Sequence, residues 1–273
     1  MQMGLMKRLD DARRGYKEQD RELSAEAHDP VRIAAAYRGA AEEHAGGASQ
    51  YIGELVYGGI DGIVTTFAVV SGVAGAKLGA GVILIMGLAN LLADGFSMAT
   101  GAYLSTKSEQ ELYAKERERE LWEMEHMPEG ERREHFEIFL QRGYSEDEAQ
   151  RLVEIISADV ERWVQAMMVD ELGMLKDERN PLLNGAATLG AFIVAGSVPL
   201  MIYLLGLVFP VPHSVTFPIS IALSGLALFG LGAARVLVTH QHPLKSGMEM
   251  LLVGGLASLV AYGVGVMLQG LNV

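Results

Sequence analysis

The chain contains no cysteine. That excludes disulfides, thiolate metal sites and cysteine nucleophiles. Charge is nearly missing from two long stretches. Residues 51–104 carry only Lys77, Glu54, Asp61 and Asp94, and residues 181–273 carry only Arg235, Lys245 and Glu249. Positive charge is in deficit overall, with 22 Lys and Arg against 34 Asp and Glu and a formal net charge of −12. No basic surplus is left to meet phosphates, so nucleic acid is not an expected partner. The N-terminal region lacks the apolar run of ~7–15 residues that a cleavable signal peptide needs. No internal repeat of solenoid period is present.

What is there is segregated. Half of the residues are hydrophobic although 21% are charged. Residues 105–180 hold 11 basic and 21 acidic groups, so most of the negative charge lies between the two charge-poor blocks. This predicts an all-α membrane protein of five transmembrane helices, with a helical acidic insert between spans 2 and 3. The expected organisation is an N-terminal helical segment at 1–50, spans 1–2 at 51–104, the insert at 105–180 and spans 3–5 at 181–273. A span needs about 20 apolar residues. The candidates are Ile52 to Ala76, Leu78 to Leu104, Pro181 to Phe209, a segment after Pro218 ending near Val238, and Ser246 to Leu268. Pro199 should kink the third. Lys107, Lys176, Arg179, Arg235 and Lys245 flank span ends on one side, which places the N-terminus, the insert and the 239–245 loop in the cytoplasm. The N-terminal stretch reads as one or two surface helices broken at Asp29-Pro30 and joined to the first span by Gly46-Gly47.

Residues 105–127 should continue the second span into water, and Pro128 should open the next helix, about Glu129–Gln141. Ser145-Glu146-Asp147-Glu148 has the capping-box pattern for a helix to about Ile156, and a last helix should run from Asp159 to Leu175. Glu116, Glu120 and Glu123 are four and three apart and share a helix face, as do Glu131 and Glu134. Met167, Met168 and Glu171 add thioethers and a carboxylate. Carboxylates suit hard divalent cations and thioethers softer ones, so such a set fits Fe²⁺ and could hold Mn²⁺, Co²⁺ or Zn²⁺. The alternative is a solvated acidic face above two core methionines. His126 completes Glu-x-x-His with Glu123, half of a di-iron signature that needs two such motifs. His240 and His242 read as solvated loop residues.

Ionisable groups inside spans are costly and point to function. Asp61 lies about 12 Å into the first span. Glu54 sits near that mouth on the same face, and Thr65 lies one turn deeper. Asn90, Asp94 and Met98 form a stripe four residues apart on the second span. Met98 lies roughly 9 Å from the same end, at a depth near that of Asp61. Asp61 and Asp94 could instead cap glycine kinks. Glycines 58, 59, 62, 72 and 75 suit close helix approach and, by that route, self-association.

These residues resemble the vacuolar iron transporter family. The stretch Tyr57-Gly-Gly-Ile-Asp61-Gly-Ile-Val-Thr65 is similar to its first-helix motif, and Leu92-Ala-Asp94-Gly-Phe-Ser-Met98 to its second. Glu116 to Glu134, Met167-Met168 and Glu171-Leu-Gly are similar to its cytoplasmic metal-binding region. The family commonly has Glu before the tyrosine of the second-helix tail, where this chain has Ala102. The resemblance implies a homodimer whose first two helices line a pathway, exchanging Fe²⁺, and often Mn²⁺, for protons. It implies export of metal from the cytosol, across a cell (inner) membrane in a prokaryote or a vacuolar membrane in a eukaryote. Asp61 and Met98 correspond to pathway ligands. Glu120, Glu123, Glu131, Glu134, Met167, Met168 and Glu171 correspond to cytoplasmic ligands. The partners expected are the bilayer, divalent metal and protons, with metal as cargo and no permanently bound cofactor. A membrane-tethered di-iron oxidase or storage module, or a metal-sensing scaffold, are the competing readings.

Overall fold

The computed structural model describes residues 2–40, 48–236 and 242–269. Among them every regular element is helical. The chain divides into two units, Met1–Ser49 and Gln50–Val273.

The first unit holds α1 (Gln2–Glu18), α2 (Arg21–Ala27) and α3 (Pro30–Ala40). Asp20 caps α2 by accepting from the backbone N–H of Glu22 and Leu23 at 2.9 and 3.1 Å. Asp29 does the same for Val31 and Arg32, at 3.0 Å each, so the break expected at Asp29-Pro30 is present. A further break at Gln19-Asp20 makes three helices, because Asp20 also satisfies orphan donors. The expected Gly46-Gly47 joint lies outside the described residues, as does His240.

The second unit begins with α4 (Ile52–Gly75) and α5 (Ala80–His126). The insert follows as α6 (Pro128–Gln141), α7 (Glu146–Ser157) and α8 (Val160–Asp170). Next come α9 (Pro181–Gly196), a 3₁₀ turn at Val198–Leu200, α10 (Met201–Leu205), α11 (His213–Ala234) and α12 (Pro243–Leu268). Five helical stretches are long and apolar enough to cross a membrane. Their bodies match the expected spans. Proline decides the differences. Pro199 stops α9 and forces the 3₁₀ turn, since it cannot donate to the helical ladder. Pro218 was expected to precede the fourth span but lies inside α11, which starts at His213. Its ring sits in the second turn, where little of the ladder is lost. Asn180 caps α9 by accepting from Leu182 and Leu183, with Pro181 at the first position as expected.

α4 is the central helix. It packs along α9 and α12 and also touches α5 and α11. In lipid the hydrophobic effect does not drive helices together, so backbone proximity and buried hydrogen bonds must do it. Glycine supplies the proximity. A Cβ at Gly58 would lie 3.1 Å from the Thr188 carbonyl, and one at Gly62 2.5 Å from that of Phe192. A Cβ at Gly75 would meet the Tyr262 carbonyl, and one on Gly265 of α12 would meet that of Gly72. Serine supplies bonds, as in the buried Ser71–Ser258 pair at 2.5 Å. The close approach expected of these glycines is present, and it seats α9, α11 and α12 of the same chain.

α5 is 47 residues long, about 70 Å at 1.5 Å per residue. A hydrocarbon core is ~30 Å thick. More than half of the helix therefore stands clear, and the insert is built on that extension.

Candidate metal site

The insert folds because each helix has its own start signal and one apolar face. Ser145 and Glu148 form the reciprocal capping box expected at α7. Gly143, at φ 94°, turns the chain out of α6. Asp159 caps α8 by accepting from the Arg162 N–H at 2.8 Å. Met124 of α5 and Trp163, Val164, Met167 and Met168 of α8 close into one buried apolar cluster. Full burial of such a side chain contributes roughly 1.5–3 kcal/mol. Met167 and Met168 are wholly buried there. α8 ends at Asp170 rather than near Leu175, with Glu171 as its C-cap, the Glu171 N–H still bonded to the Met167 carbonyl at 2.9 Å.

Three of the insert's carboxylates converge. Glu120 of α5, Glu131 of α6 and Glu171 each bring an oxygen within 4.8 Å of the others. Glu120 is fully buried and Glu131 is 6% exposed. One oxygen of each, Oε2, has no hydrogen-bond partner. Burying a carboxylate oxygen without a partner is costly, and a divalent cation bound between the three removes that cost. Glu134 and Glu123 act electrostatically on the trio from its rim. Glu116 and Glu123 are not among the three, and Arg119 binds both of them together with Glu120. Its Nε donates to Glu116 at 2.9 Å, its Nη2 to Glu120 at 2.7 Å, and its Nη1 to Glu123. Nothing in the spacing of the glutamates pointed to this arginine, although its position three after Glu116 and four before Glu123 was the available signal. His126 turns away, its Nδ1 on the Trp122 carbonyl at 2.8 Å and its ring stacked on Trp122. The set lacks the histidines of a di-iron centre.

Burial, then the neighbouring carboxylates, push Glu120 and Glu131 up to about 7. Glu171 is also raised, by burial and Glu134. A metal must displace these protons. Affinity for Mn²⁺ should therefore rise by about tenfold or more between pH 6 and pH 8. Electron paramagnetic resonance of free Mn²⁺ reads this directly, and Glu120→Gln with Glu131→Gln should flatten the profile. The stability sign is opposite. The metal-free fold keeps protons that the unfolded chain loses above its ordinary glutamate value of 4.5. Metal-free stability should fall as pH rises from about 4.5 to 7, and metal should restore it.

The intramembrane residues sit on α4 and α5. Asp61 is half-buried, and the Asp94 carboxylate acts on it electrostatically. Thr65 donates to the Asp61 carbonyl at 2.9 Å. Met98 is partly buried against the cluster containing Leu91 and Phe192. Asn90 carries a buried amide nitrogen without a partner. Glu54, at the foot of α4, is paired to Arg179 at 2.8 Å. Arg179 also binds Asp177 at 2.8 Å, and the Gln110 side chain of α5 donates to the backbone carbonyls of both residues. Arg179 holds Asp177 below the usual carboxylate range. The segment entering α9 is thus fastened to the foot of α4 and to the extension of α5.

Five apolar helices, with half-buried acidic residues on the first two and a carboxylate cluster built on the extension of the second, define an integral membrane protein equipped to handle cations. Residues 52–266 match the model of the VIT family. A vacuolar iron transporter of Toxoplasma gondii is 38% identical over 269 residues, covering 96% of this chain and 88% of that protein. One of Plasmodium falciparum is 30% identical, covering 96% and 97%. Vacuolar iron transporter 1 of Arabidopsis thaliana is 32% identical, covering 79% and 85%. The chain belongs to the VIT family, that of the vacuolar iron transporters.

Proposed function

We propose that this protein is a divalent-metal transporter that moves Fe²⁺, and also Mn²⁺, out of the cytosol in exchange for protons. The observation that carries the reading is the convergence of buried Glu120, on the continuation of a membrane helix, with buried Glu131 and exposed Glu171 of the insert, one oxygen each of Glu120 and Glu131 being unpartnered. The names of the relatives, vacuolar iron transporters, support the metal. The insert collects the ion on the cytoplasmic side, an orientation supported by the basic residues that flank the span ends. Asp61, Asp94 and Met98 then carry it through the bilayer, with Asn90 and Glu54 beside the path. Protons returning to the carboxylates release it. Flux of Fe²⁺ and Mn²⁺ into proteoliposomes under an imposed pH gradient tests this. Metal uptake that ignores the gradient would remove the exchange, and no uptake of either ion would remove the transporter.

The same proposal includes a homodimer. Its support lies on α5 rather than on the glycines of α4. Ala89, Ala93, Ser97 and Gly101 are each four apart and all exposed on one side of α5. Small residues at that spacing let two helices approach closely in lipid. Ala93→Trp should convert the detergent-solubilised dimer to monomer without unfolding the subunit, as read by light scattering. An unchanged dimer would move the interface elsewhere.

A further inference from the structure

The insert's acidic face already holds a cation of its own. The Arg119 guanidinium uses its Nε, Nη1 and Nη2 on three different glutamates of α5: Glu116, Glu123 and Glu120. Two of those three, Glu116 and Glu123, are thereby kept at the rim. The third, Glu120, is divided. Its Oε1 accepts from Arg119 at 2.7 Å, while its buried Oε2 has no partner. Glu131 also keeps a buried oxygen without a partner, and both residues bring an oxygen within 4.8 Å of Glu171. Arg119 therefore lies against one side of the trio, bonded to one of its members.

We propose that Arg119 is a tethered competitor for the metal: it neutralises the rim in the metal-free state and is pushed off Glu123 and Glu120 when a divalent ion enters. This rests on the reading of the insert as the metal-collecting part. A guanidinium is always charged and is more weakly hydrated than an ammonium, so it can stay in a partly buried acidic cluster and still be exchanged. Its side chain is 41% exposed, which leaves it a route into solvent. A like charge opposes the entering ion and lowers its affinity. Release of Glu123 then offers a further carboxylate to the bound ion. A site that must pass its cargo on benefits from that balance, since a cluster of Glu116, Glu120, Glu123, Glu131, Glu134 and Glu171 without a counter-cation would hold a dication too firmly for transfer. Arg119 is thus a residue that sets affinity without being a ligand.

The test uses the full-length protein in detergent with Mn²⁺ as the probe. Arg119→Gln should bind Mn²⁺ about tenfold or more tighter than wild type. Arg119→Lys keeps the charge and should stay nearer to wild type. Arg119→Gln that folds and binds equally or more weakly overturns the proposal and makes the arginine a structural clamp. A second measurement needs no variant. Phenylglyoxal labelling of Arg119 in the wild-type protein, read by peptide mass spectrometry, should increase when Mn²⁺ is added. Unchanged or reduced labelling with Mn²⁺ bound also overturns it. If wild type and Arg119→Gln both fail to bind Mn²⁺, the metal-collecting reading of the insert falls instead.

Discussion

Asp61→Asn is expected to abolish proton-coupled metal flux while leaving the fold and Mn²⁺ binding by the insert intact. Asp61 sits on the central helix, one residue before Gly62, a glycine packed against α9. Asparagine has the same shape, so packing there is retained. What is lost is a charge that a proton and a divalent ion can each neutralise inside the bilayer. Asp94 acts on Asp61 electrostatically. Two carboxylates that feel each other favour a dication or a proton between them. One group bound alternately by metal and proton is the least that an exchanger needs. Loss should be near complete in proteoliposomes, about a hundredfold or more if transition-state electrostatics of the usual size are removed. Met98→Leu keeps the volume and removes the sulfur, so its effect should be smaller and greatest for softer ions. Undiminished proton-coupled Fe²⁺ flux in Asp61→Asn would falsify this mechanism, whatever became of the family assignment.

The second large effect concerns the fold. Gly62→Leu should prevent stable assembly of the membrane helices. A Cβ at that position would lie 2.5 Å from the Phe192 carbonyl oxygen, and on the other side of the contact a Cβ on Gly196 would lie 2.8 Å from the Gly62 carbonyl. Both obstacles are backbone, so no rotamer change relieves them. α4 and α9 would have to separate along their whole crossing. Overpacking usually costs about 1–3 kcal/mol, and a full leucine between two backbones should exceed that. Gly53 is the control on the same helix, because a Cβ there meets nothing within 4 Å. Gly53→Ala should be neutral or stabilising by up to about 1 kcal/mol. Thermal unfolding in detergent separates the two, and a Gly62→Leu protein as stable as Gly53→Ala would show that the α4–α9 contact yields more easily than its geometry implies. Because Gly62 faces the same chain, this variant should fail as a subunit. Ala93→Trp should fail only as a dimer.

Much of this architecture is written in local signals. The five apolar stretches, the capping box at Ser145, the Asn180-Pro181 start of α9 and the stop at Pro199 depend on residues a few positions apart. Backbone groups at helix ends must be satisfied nearby, and spans must be apolar over their own length. The shared faces of Glu116, Glu120 and Glu123, and of Glu131 and Glu134, follow from helical periodicity alone.

Periodicity says which residues share a face, and nothing about what that face meets. The tertiary structure assigned the glycines of α4 to α9 and α12 and left the small residues of α5 exposed, since backbone approach depends on which helices are neighbours. It ended α8 at Asp170 and brought Glu171 to Glu120 and Glu131, a meeting of three elements that no spacing contains. It buried Met167 and Met168 in one cluster with Trp163 and Val164 and with Met124 of another helix, a contact that spacing along α8 does not contain. It also gave Arg119 to Glu116, Glu120 and Glu123. An arginine among many glutamates has several partners within reach, and only the arrangement in space, where burial strengthens one set of charges over the rest, decides which of them it holds.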